Sequence, residues 1–254
     1  MFEEKEGFEQ INDKEILWRY QDLPRYLDLL IRKQLFFTRM DQFEDPFEGK
    51  YNITGKADEI SERATVVNKA AQKQQSVKNE YSNLAEKHSR KRIAFTVNTW
   101  HRNDDENYAM WNIYAKNYGV AVQTDYKKLK ECFRKTDKSI YIGKVIYYNE
   151  SAHQIPMDDP LAPFLHKRCL YQYENEVRCC YIMSDAEESG FKWEAQDNYN
   201  GVFIPVDLEV LIERIYISPY APQWYRDLVA RTNEAFHIHK EIVHSTVFQS
   251  ENFL

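Results

Sequence analysis

Hydrophobic and polar positions along this chain follow two patterns, one with strand periodicity and one with helical periodicity, in no regular order. Short runs rich in β-branched and aromatic residues predict strands. They lie around Arg19, Leu35, Phe95, Val120, Tyr141, Val177, Ile204, Tyr216 and Ile242. Since helical segments separate them irregularly, the order indicates an α+β fold rather than repeated βαβ units. We predict a single domain over residues 1–254, in which helices flank a mostly antiparallel sheet that is either continuous or split.

The segment from Lys56 to Arg92 has a helical pattern throughout and contains neither glycine nor proline. Small and apolar residues recur there at the i, i+4, i+7 spacing of one helix face. The two sets are Ile60, Ala64 and Val67, followed by Val77, Tyr81 and Leu84. The pattern predicts two helices that form a hairpin inserted into the domain.

Three segments in the second half of the chain bear on a possible site. Ile140 to Tyr148 is predicted as one strand, Phe164 to Tyr171 as a helix, and Glu174 to Met183 as a strand. Within the last strand, Glu174 and Glu176 would project from one face, followed by Arg178. Two like charges so placed are costly unless a cation, a metal ion or a ligand lies over them. The alternative is an exposed strand face paired with neighbouring lysines or arginines.

Arg19 is a cation within an apolar strand, between Trp18 and Tyr20. A long cationic side chain in such a position must form an ion pair, extend to solvent or bind an anion. Three interpretations therefore stay open for Arg19: an anion site, a side chain that extends to solvent, or an ion pair across strands with Asp45 or Glu176.

The predicted site is centred on the stretch from Phe95 to Gln123. There, two predicted strands flank a polar loop and a short helix rich in aromatic residues. Loops held by a rigid scaffold commonly carry binding groups. Trp100, His101 and Tyr114 are the candidates, since each combines a flat apolar body with a polar tip.

Residues 41–52 (DQFEDPFEGKYN) are predicted to form a loop, because Pro46 and Gly49 break regular structure. Phe43 and Phe47 are expected to be buried and to hold this loop against the core. The loop also carries four carboxylates, namely Asp41, Glu44, Asp45 and Glu48. They are either an acidic site or a solvated turn.

Composition narrows the classes of partner. The net charge of -6 argues against a nonspecific nucleic-acid surface, although a local basic patch would still allow one. The acidic start of the chain and the lack of a long apolar run predict a cytoplasmic protein without a membrane partner. The cysteines and histidines show no metal-ligand spacing, so no metal site is predicted from them. Neither GxGxxG nor GxxxxGK[ST] is present.

Four pieces of the sequence stand out as motifs, namely LWRYQDL, FTRMDQFEDPFEG, NTWH with AMWNIYAKNYGVAV, and YENEVR. They resemble the FxDPFE, MWxxYA and YExExR signatures of a bacterial domain-of-unknown-function family, family 2971. The resemblance runs from about Ile16 to the predicted strand at Arg214. Glu44 stands where the family more often has asparagine. The resemblance implies no activity.

A more distant resemblance is to ADP-ribosyltransferases, which place Arg or His in the first core strand, Ser or Thr in a second strand, and ExE or a lone Glu on a later strand. Arg19, Thr99 and Glu176, with Glu174 as companion acid, occur in that order. The resemblance implies NAD as the cofactor, with Arg19 on its pyrophosphate, Thr99 at the nicotinamide ribose, and Trp100, His101 and Tyr114 lining the site. It implies catalytic roles for Glu176, Glu174 and Arg19.

Three functional hypotheses follow. The first is an NAD-using ADP-ribosyltransferase or NAD glycohydrolase that acts as an effector in stress or phage defence, with a small-molecule or nucleotide ligand. The second is a Mg²⁺-dependent nuclease in which Asp45, Glu48, Glu174 and Glu176 gather the metal ion. The third is a non-catalytic binding or regulatory module, in which cations of the protein bridge the two glutamates. The sequence gives no indication of the oligomeric state.

Overall fold

The computed structural model describes residues 2–3, 10–50, 92–150, 155–156, 159, 161–183 and 200–249. The predicted helical hairpin lies outside the described residues, except for Arg92.

The strands, numbered in chain order, are β1 Phe2–Glu3, β2 Ile16–Asp22, β3 Gln34–Arg39, β4 Phe95–Arg102, β5 Gly119–Asp125, β6 Ile140–Lys144, β7 Ile146–Tyr148, β8 His166–Arg168, β9 Glu176–Ile182, β10 Gly201–Pro205, β11 Arg214–Ile217 and β12 Glu241–His244. The helices are α1 Leu23–Arg32, α2 Tyr108–Tyr114, α3 Tyr126–Glu131, α4 Ala162–Leu165, α5 Leu208–Leu211 and α6 Gln223–Ala235. Two 3₁₀ segments, Met40–Gln42 and Cys169–Glu174, join them.

Among the described residues, ten strands form one sheet, and β7 and β8 form a small parallel pair. The main path runs β1-β6-β9-β4-β2-β5-β11-β12, and β3 joins β4 while β10 joins β3. Within it the β1–β6 and β11–β12 pairs are parallel, and the other pairs are antiparallel. The predicted α+β fold with a mostly antiparallel sheet is confirmed.

The sheet splits at β4. One edge of β4 pairs with β9 along nearly the whole strand. The other edge is shared, because β3 pairs with Thr96 and Val97 whereas β2 pairs with His101 and Arg102. At residues 98–100 no described strand pairs with this edge. A gap therefore opens between β2 and β3 at the middle of β4.

Helix α1 holds β2 and β3 apart. Asp22 caps its first turn by accepting a hydrogen bond from the backbone N–H of Arg25 at 2.9 Å, and Pro24 suits this turn because no N–H is needed there. Lys33 ends the helix in the left-handed conformation at φ 53°, where its N–H donates to the carbonyl of Leu29. The chain thus leaves the sheet after β2 and re-enters it as β3 across the gap.

Apolar side chains cover both faces of the sheet. The face under α1, α3, α5 and α6 carries the largest cluster, which includes Leu17, Tyr26, Trp100, Val122, Leu129, Leu211, Ile215 and Val229. The opposite face carries two smaller clusters, one with Trp18, Tyr20, Met110 and Trp111 under α2, and one with Val97, Phe164 and Cys180 under α4. No helix in the described parts of the chain has the length and hydropathy to cross a membrane.

Three predicted elements differ from the structure, and one of them, the strand predicted from Glu174 to Met183, begins only at Glu176. The strand predicted from Ile140 to Tyr148 is divided into β6 and β7, and the helix predicted from Phe164 to Tyr171 gives way to β8 after Leu165. Strand β8 pairs in parallel with β7, with Ile146 opposite His166. Pairing with a distant segment overrides the local helical preference, because a pattern of this length has only a weak preference of its own.

The part of the predicted loop at residues 43–49, the FEDPFEG loop, is held by its carboxylates rather than by its aromatic rings. Phe47 is 51% exposed, so its predicted burial is wrong, whereas Phe43 is half-buried against the cluster under α4. Asp45 and Glu48 are each 4% exposed. Asp45 accepts two hydrogen bonds from the Arg168 guanidinium, at 2.9 and 3.0 Å. Paired charges therefore fix this loop, and for these two residues the alternative of a solvated turn is wrong.

Phe47→Ala is accordingly expected to lower the free energy of unfolding by less than about 1 kcal/mol, because the ring is half in water already. Asp45→Asn should lower it by about 2–4 kcal/mol, since Arg168 would lose its bidentate partner in a partly buried place. Urea denaturation followed by tryptophan fluorescence measures both values. A larger loss for Phe47→Ala than for Asp45→Asn would show that the ring holds the loop after all.

Candidate functional site

A cleft of about 710 Å³ opens at the split in the sheet. Its walls come from β2, α1, β3 and the end of α2, and part of its floor is the middle of β4. All seven of the site residues predicted from the sequence line it, namely Arg19, Thr99, Trp100, His101, Tyr114, Glu174 and Glu176. The split brings together side chains that are far apart in the chain, because β4 is the strand that both halves of the sheet share.

The cleft connects the two faces of the sheet. Trp18 lies opposite His101, which lies opposite Glu176, so these three residues share the face under α2 and α4. Arg19 follows Trp18 and projects from the other face, towards α1. A ligand that reached both Arg19 and Glu176 would pass through the gap between β2 and β3.

Arg19 has no carboxylate partner among the described residues. Its Nη1 donates to the backbone carbonyl of Thr99 at 2.8 Å. The ion pairs considered from the sequence do not form, because Asp45 pairs with Arg168, and Glu176 pairs with two other cations. Burial, together with the nearby charge of Arg25, lowers the pKa of Arg19 to about 10. A guanidinium that is half-buried without an anion is well placed to bind one.

Thr99 and Trp100 contribute to the cleft in a limited way. Thr99 supplies the carbonyl that orients Arg19. Trp100 is 1% exposed, and its Nε1 donates to the Asn98 Oδ1 at 2.8 Å. Its ring belongs to the main core, so it supports the wall of the cleft rather than offering a free face for stacking. Tyr114 is 37% exposed and is the better placed of the two rings to contact a ligand.

Glu174 and Glu176 meet in a way that the sequence did not predict. Glu174 ends the second 3₁₀ segment instead of lying in a strand, and Asn175 follows with φ 40°. Glu176 then begins β9. Asparagine tolerates this left-handed conformation better than most residues, which explains its presence at the turn. The turn, and not the two-residue period of a strand, brings the two carboxylates together.

Each carboxylate oxygen of this pair has a partner. The Tyr114 hydroxyl donates to the Glu174 Oε1 at 3.0 Å, and the Lys167 ammonium donates to its Oε2. Lys167 also reaches the Glu176 Oε1 at 2.7 Å, and the Nε of Arg178 lies 2.7 Å from its Oε2. Both glutamates are 6% exposed.

Glu48 of the FEDPFEG loop completes a buried charge cluster of Glu48, Lys167, Glu174, Glu176 and Arg178. The Glu48 Oε1 lies 3.0 Å from the Lys167 Nζ, and its Oε2 lies 2.5 Å from the Arg178 Nη2. Arg178 is fully buried and also donates to the carbonyl of Phe164 at 2.7 Å. Three carboxylates thus face two cations.

The charge imbalance of the cluster favours one shared proton. Burial, and then the hydrogen bond and negative charge of Glu176, raise the pKa of Glu174 to about 7. Burial would raise the pKa of Glu176 as well, but Arg178 and Lys167 hold it below its usual range. With Glu174 protonated the cluster is neutral, and without that proton it carries one negative charge.

His101 and Gln21, which both line the cleft, each have a buried side-chain nitrogen without a partner among the described residues. His101 Nδ1 lies 2.5 Å from the carbonyl oxygen of Glu174, so it carries the proton, and burial lowers the pKa of the ring. Its Nε2 therefore keeps a free lone pair, and this atom has no partner within the described chain. The Nε2 of Gln21, which is 3% exposed, likewise lacks one. Buried polar atoms without partners are rare, and they commonly mark a place that another molecule or water satisfies.

The acidic residues of the predicted nuclease site do come close together, but with cations between them. Glu48, Glu174 and Glu176 share Lys167, and Asp45 faces Arg168. Over the described ranges, no group of three or more His, Cys, Asp or Glu side chains is arranged to hold a metal ion. The ammonium and guanidinium groups occupy the oxygen atoms that Mg²⁺ would need.

Sequence reasoning missed Gln21 and Arg25 in the lining of the cleft, and it missed Lys167 in the charge cluster. The sequence indicates that the two glutamates need a cation, a metal ion or a ligand over them. Lys167, however, lies in the segment that the pattern predicts to be helical. Its position depends on the pairing of β8 with β7. No local signal distinguishes it from the neighbouring Arg168.

No protein-family model and no curated protein sequence matches the chain. The resemblance to family 2971 therefore stays a prediction based on its motifs. In three dimensions these motifs meet, because Lys167 contacts Glu48 of FEDPFEG and both glutamates of YENEVR, and Tyr114 of AMWNIYA contacts Glu174.

Proposed function

We propose that this protein binds NAD as a substrate in the cleft and cleaves its nicotinamide–ribose bond, as ADP-ribosyltransferases and NAD glycohydrolases do. The observation that carries the proposal is the pairing, in one cleft, of Arg19, a guanidinium with no carboxylate partner among the described residues, and an acidic pair, Glu174 and Glu176. A dinucleotide has the matching features, an anionic pyrophosphate and a ribose that becomes positively charged when its bond breaks.

Arg19 would bind the pyrophosphate, with Arg25 of α1 adding positive charge beside it. The amide nitrogen of Gln21, which has no partner in the described part of the chain, lies on the same strand face, two residues along β2. At the other end of the cleft, the free lone pair of His101 Nε2 can accept a hydrogen bond from a ribose hydroxyl. Tyr114 offers a partly exposed ring for the flat nicotinamide.

The acidic pair supplies the electrostatic part of the reaction. Nicotinamide leaves as a neutral ring, so no acid is needed to protonate it, and positive charge develops at the anomeric carbon of the ribose. A cluster with one net negative charge stabilises that carbon, whereas the neutral cluster with Glu174 protonated does not. Water or an acceptor group then bonds to the anomeric carbon and gives up a proton, for which Glu174 is the nearby base.

The cellular role that we propose is that of a cytoplasmic effector in stress or phage defence. Consumption of NAD, or modification of a target, is an activity that such an effector would need to keep under control. Measuring the NAD content of cells that express the protein or its Glu174→Gln variant tests this role.

A binding module without catalysis is the second candidate. It is favoured by the fact that Lys167 and Arg178 already bridge the two glutamates, which is the arrangement expected of a structural ion network. In that case NAD or another nucleotide would raise the melting temperature, but no nicotinamide would be released.

Arg19→Gln tests the anion site directly. We expect NAD to raise the melting temperature of the parent protein and to leave that of Arg19→Gln nearly unchanged, because a bidentate contact with a charged donor is lost. Arg134→Gln is the matched control, since Arg134 is exposed and its ion pair is a local one with Glu131. Equal shifts for Arg19→Gln and the parent would place the ligand elsewhere.

A further inference from the structure

The FEDPFEG loop has no role in the proposed reaction, although it buries Glu48 as deeply as the acidic pair itself. Glu48 is 4% exposed and does not line the cleft. Its two oxygens are used by the two cations that also hold Glu176, namely Lys167 and Arg178. The loop is therefore connected to the acidic pair by the ion pairs that Glu48 forms with these two cations.

Lys167 is the centre of this arrangement. Its ammonium group contacts carboxylates from three separate segments, Glu48 of the loop, Glu174 of the 3₁₀ segment and Glu176 of β9. The Lys167 side chain is 7% exposed, so water screens these charges weakly. An ammonium has three N–H donors, and three carboxylates match them.

We propose that Glu48 and Lys167 are positioning residues for the reaction at the cleft: Lys167 holds the two acidic side chains in place, Glu48 competes for Lys167 and Arg178, and together they set the proton occupancy of Glu174. The proposal rests on the proposed function for its consequence on turnover. Its physical content, the charge coupling between the loop and Glu174, does not depend on the identity of the substrate.

The direction of the coupling follows from the charges. Within the described part of the chain, the ionisable groups around Glu174 and its charged partners are His101 on β4, Tyr114 on α2, Tyr147 on β7, Lys167 on β8, Tyr171 and Tyr173 on its own segment, Glu176 and Arg178 on β9, and Glu48. Among these, Lys167 stabilises the Glu174 carboxylate by direct contact. Glu48 weakens that effect, because it draws the same ammonium group and adds negative charge nearby.

The test is the pH profile of NAD turnover in two variants with opposite charge changes. Lys167→Met removes a positive charge in contact with Glu174, so the midpoint of the profile should move up by about one pH unit or more. Glu48→Gln removes a negative charge one contact further away, so the midpoint should move down by a smaller amount. The double variant should return it towards the parent value. Lys167→Arg keeps the charge and should keep the midpoint.

Two matched controls separate charge coupling from general damage. Glu44→Gln removes an exposed carboxylate of the same loop, and Lys135→Met removes an exposed lysine that pairs with Asp207 on the surface. Neither should move the midpoint. A merely structural role for Glu48 and Lys167 would lower turnover at all pH values without moving the midpoint in opposite directions.

A second measurement makes the outcome independent of turnover. The carboxyl ¹³C signal of Glu174 can be titrated by NMR in the parent and in both variants without any substrate. If the titration midpoints move in opposite directions but the parent releases no nicotinamide, the proposed function fails and the coupling stands. If the midpoints stay together or move in the same direction, the inference is overturned whatever the activity. Where Lys167→Met does not fold, Glu48→Gln decides alone, because the absence of a downward shift overturns the inference.

Discussion

Replacement of Arg178 by methionine is expected to lower the free energy of unfolding by about 3–5 kcal/mol, because it leaves two buried carboxylates with only Lys167 of the two cations that they share. Arg178 is fully buried and contacts Glu48, Glu176 and the carbonyl of Phe164. Methionine fills much of the volume but cannot donate a hydrogen bond, so the loss is electrostatic rather than one of packing. Urea denaturation followed by circular dichroism measures it.

Arg214→Met is the matched control for this change. Arg214 also lies on a strand of the main sheet and pairs with a glutamate, Glu241, at 2.9 Å. Its ion pair is exposed, so water already solvates both groups and its loss should change the urea midpoint little. A similar loss of stability for both variants would show that the buried cluster contributes no more than a surface ion pair.

Glu174→Gln is expected to reduce NAD turnover by about 10²–10⁴-fold above pH 7, the usual range for losing a general base or acid. The parent should gain activity as the pH rises through about 7, because the cluster acquires its negative charge when Glu174 loses its proton. Glutamine resembles the protonated side chain at every pH, so the variant should lack this rise. Nicotinamide release between pH 5 and 9 measures both profiles.

The same substitution should change how stability depends on pH. The pKa of Glu174 is about 7 in the folded protein, above the usual value of about 4.3 in an unfolded chain. The folded state therefore binds this proton more tightly, and the resulting stability is complete below pH about 4 and is lost as the pH rises through about 7. The parent's unfolding free energy should fall relative to that of the variant across this range, by on the order of 3 kcal/mol.

Glu131→Gln is the control for both readouts, since Glu131 lies on α3 and pairs with the exposed Arg134. In this variant, the pH dependence of NAD turnover and the pH dependence of the unfolding free energy should both match those of the parent protein. A parent profile that is flat between pH 6 and 8 would show that the protonation of Glu174 does not govern turnover.

The sequence by itself determined most of the secondary structure. The runs of β-branched and aromatic residues located β2, β3, β4, β5, β9 and β11, and the start of α1 at Asp22 and Pro24 is likewise set by residues close together in the chain. These signals are reliable because they are local: a strand face or a helix cap needs only residues that are neighbours in the chain. Some candidate site residues could also be predicted, because a charged residue within an apolar run, such as Arg19, needs a partner or a ligand.

Only the tertiary structure decided how those charges are used. The period of two placed Glu174 and Glu176 on one strand face, but the turn at Asn175 and the ammonium group of Lys167 bring their carboxylates together. Lys167 could not be found from the sequence, because β8 exists through its pairing with β7 and has little strand propensity of its own.

The loop at residues 41–50 shows the same limit for burial. From the sequence, Phe47 is predicted to be buried, because moving an aromatic ring out of water is favourable whereas moving a carboxylate is costly. In the folded chain Phe47 is half exposed and Glu48 is buried, since Lys167 and Arg178 offset the cost of removing its charge from water. A buried charge depends on partners from distant segments, so its burial was determined by the fold and not by the local pattern.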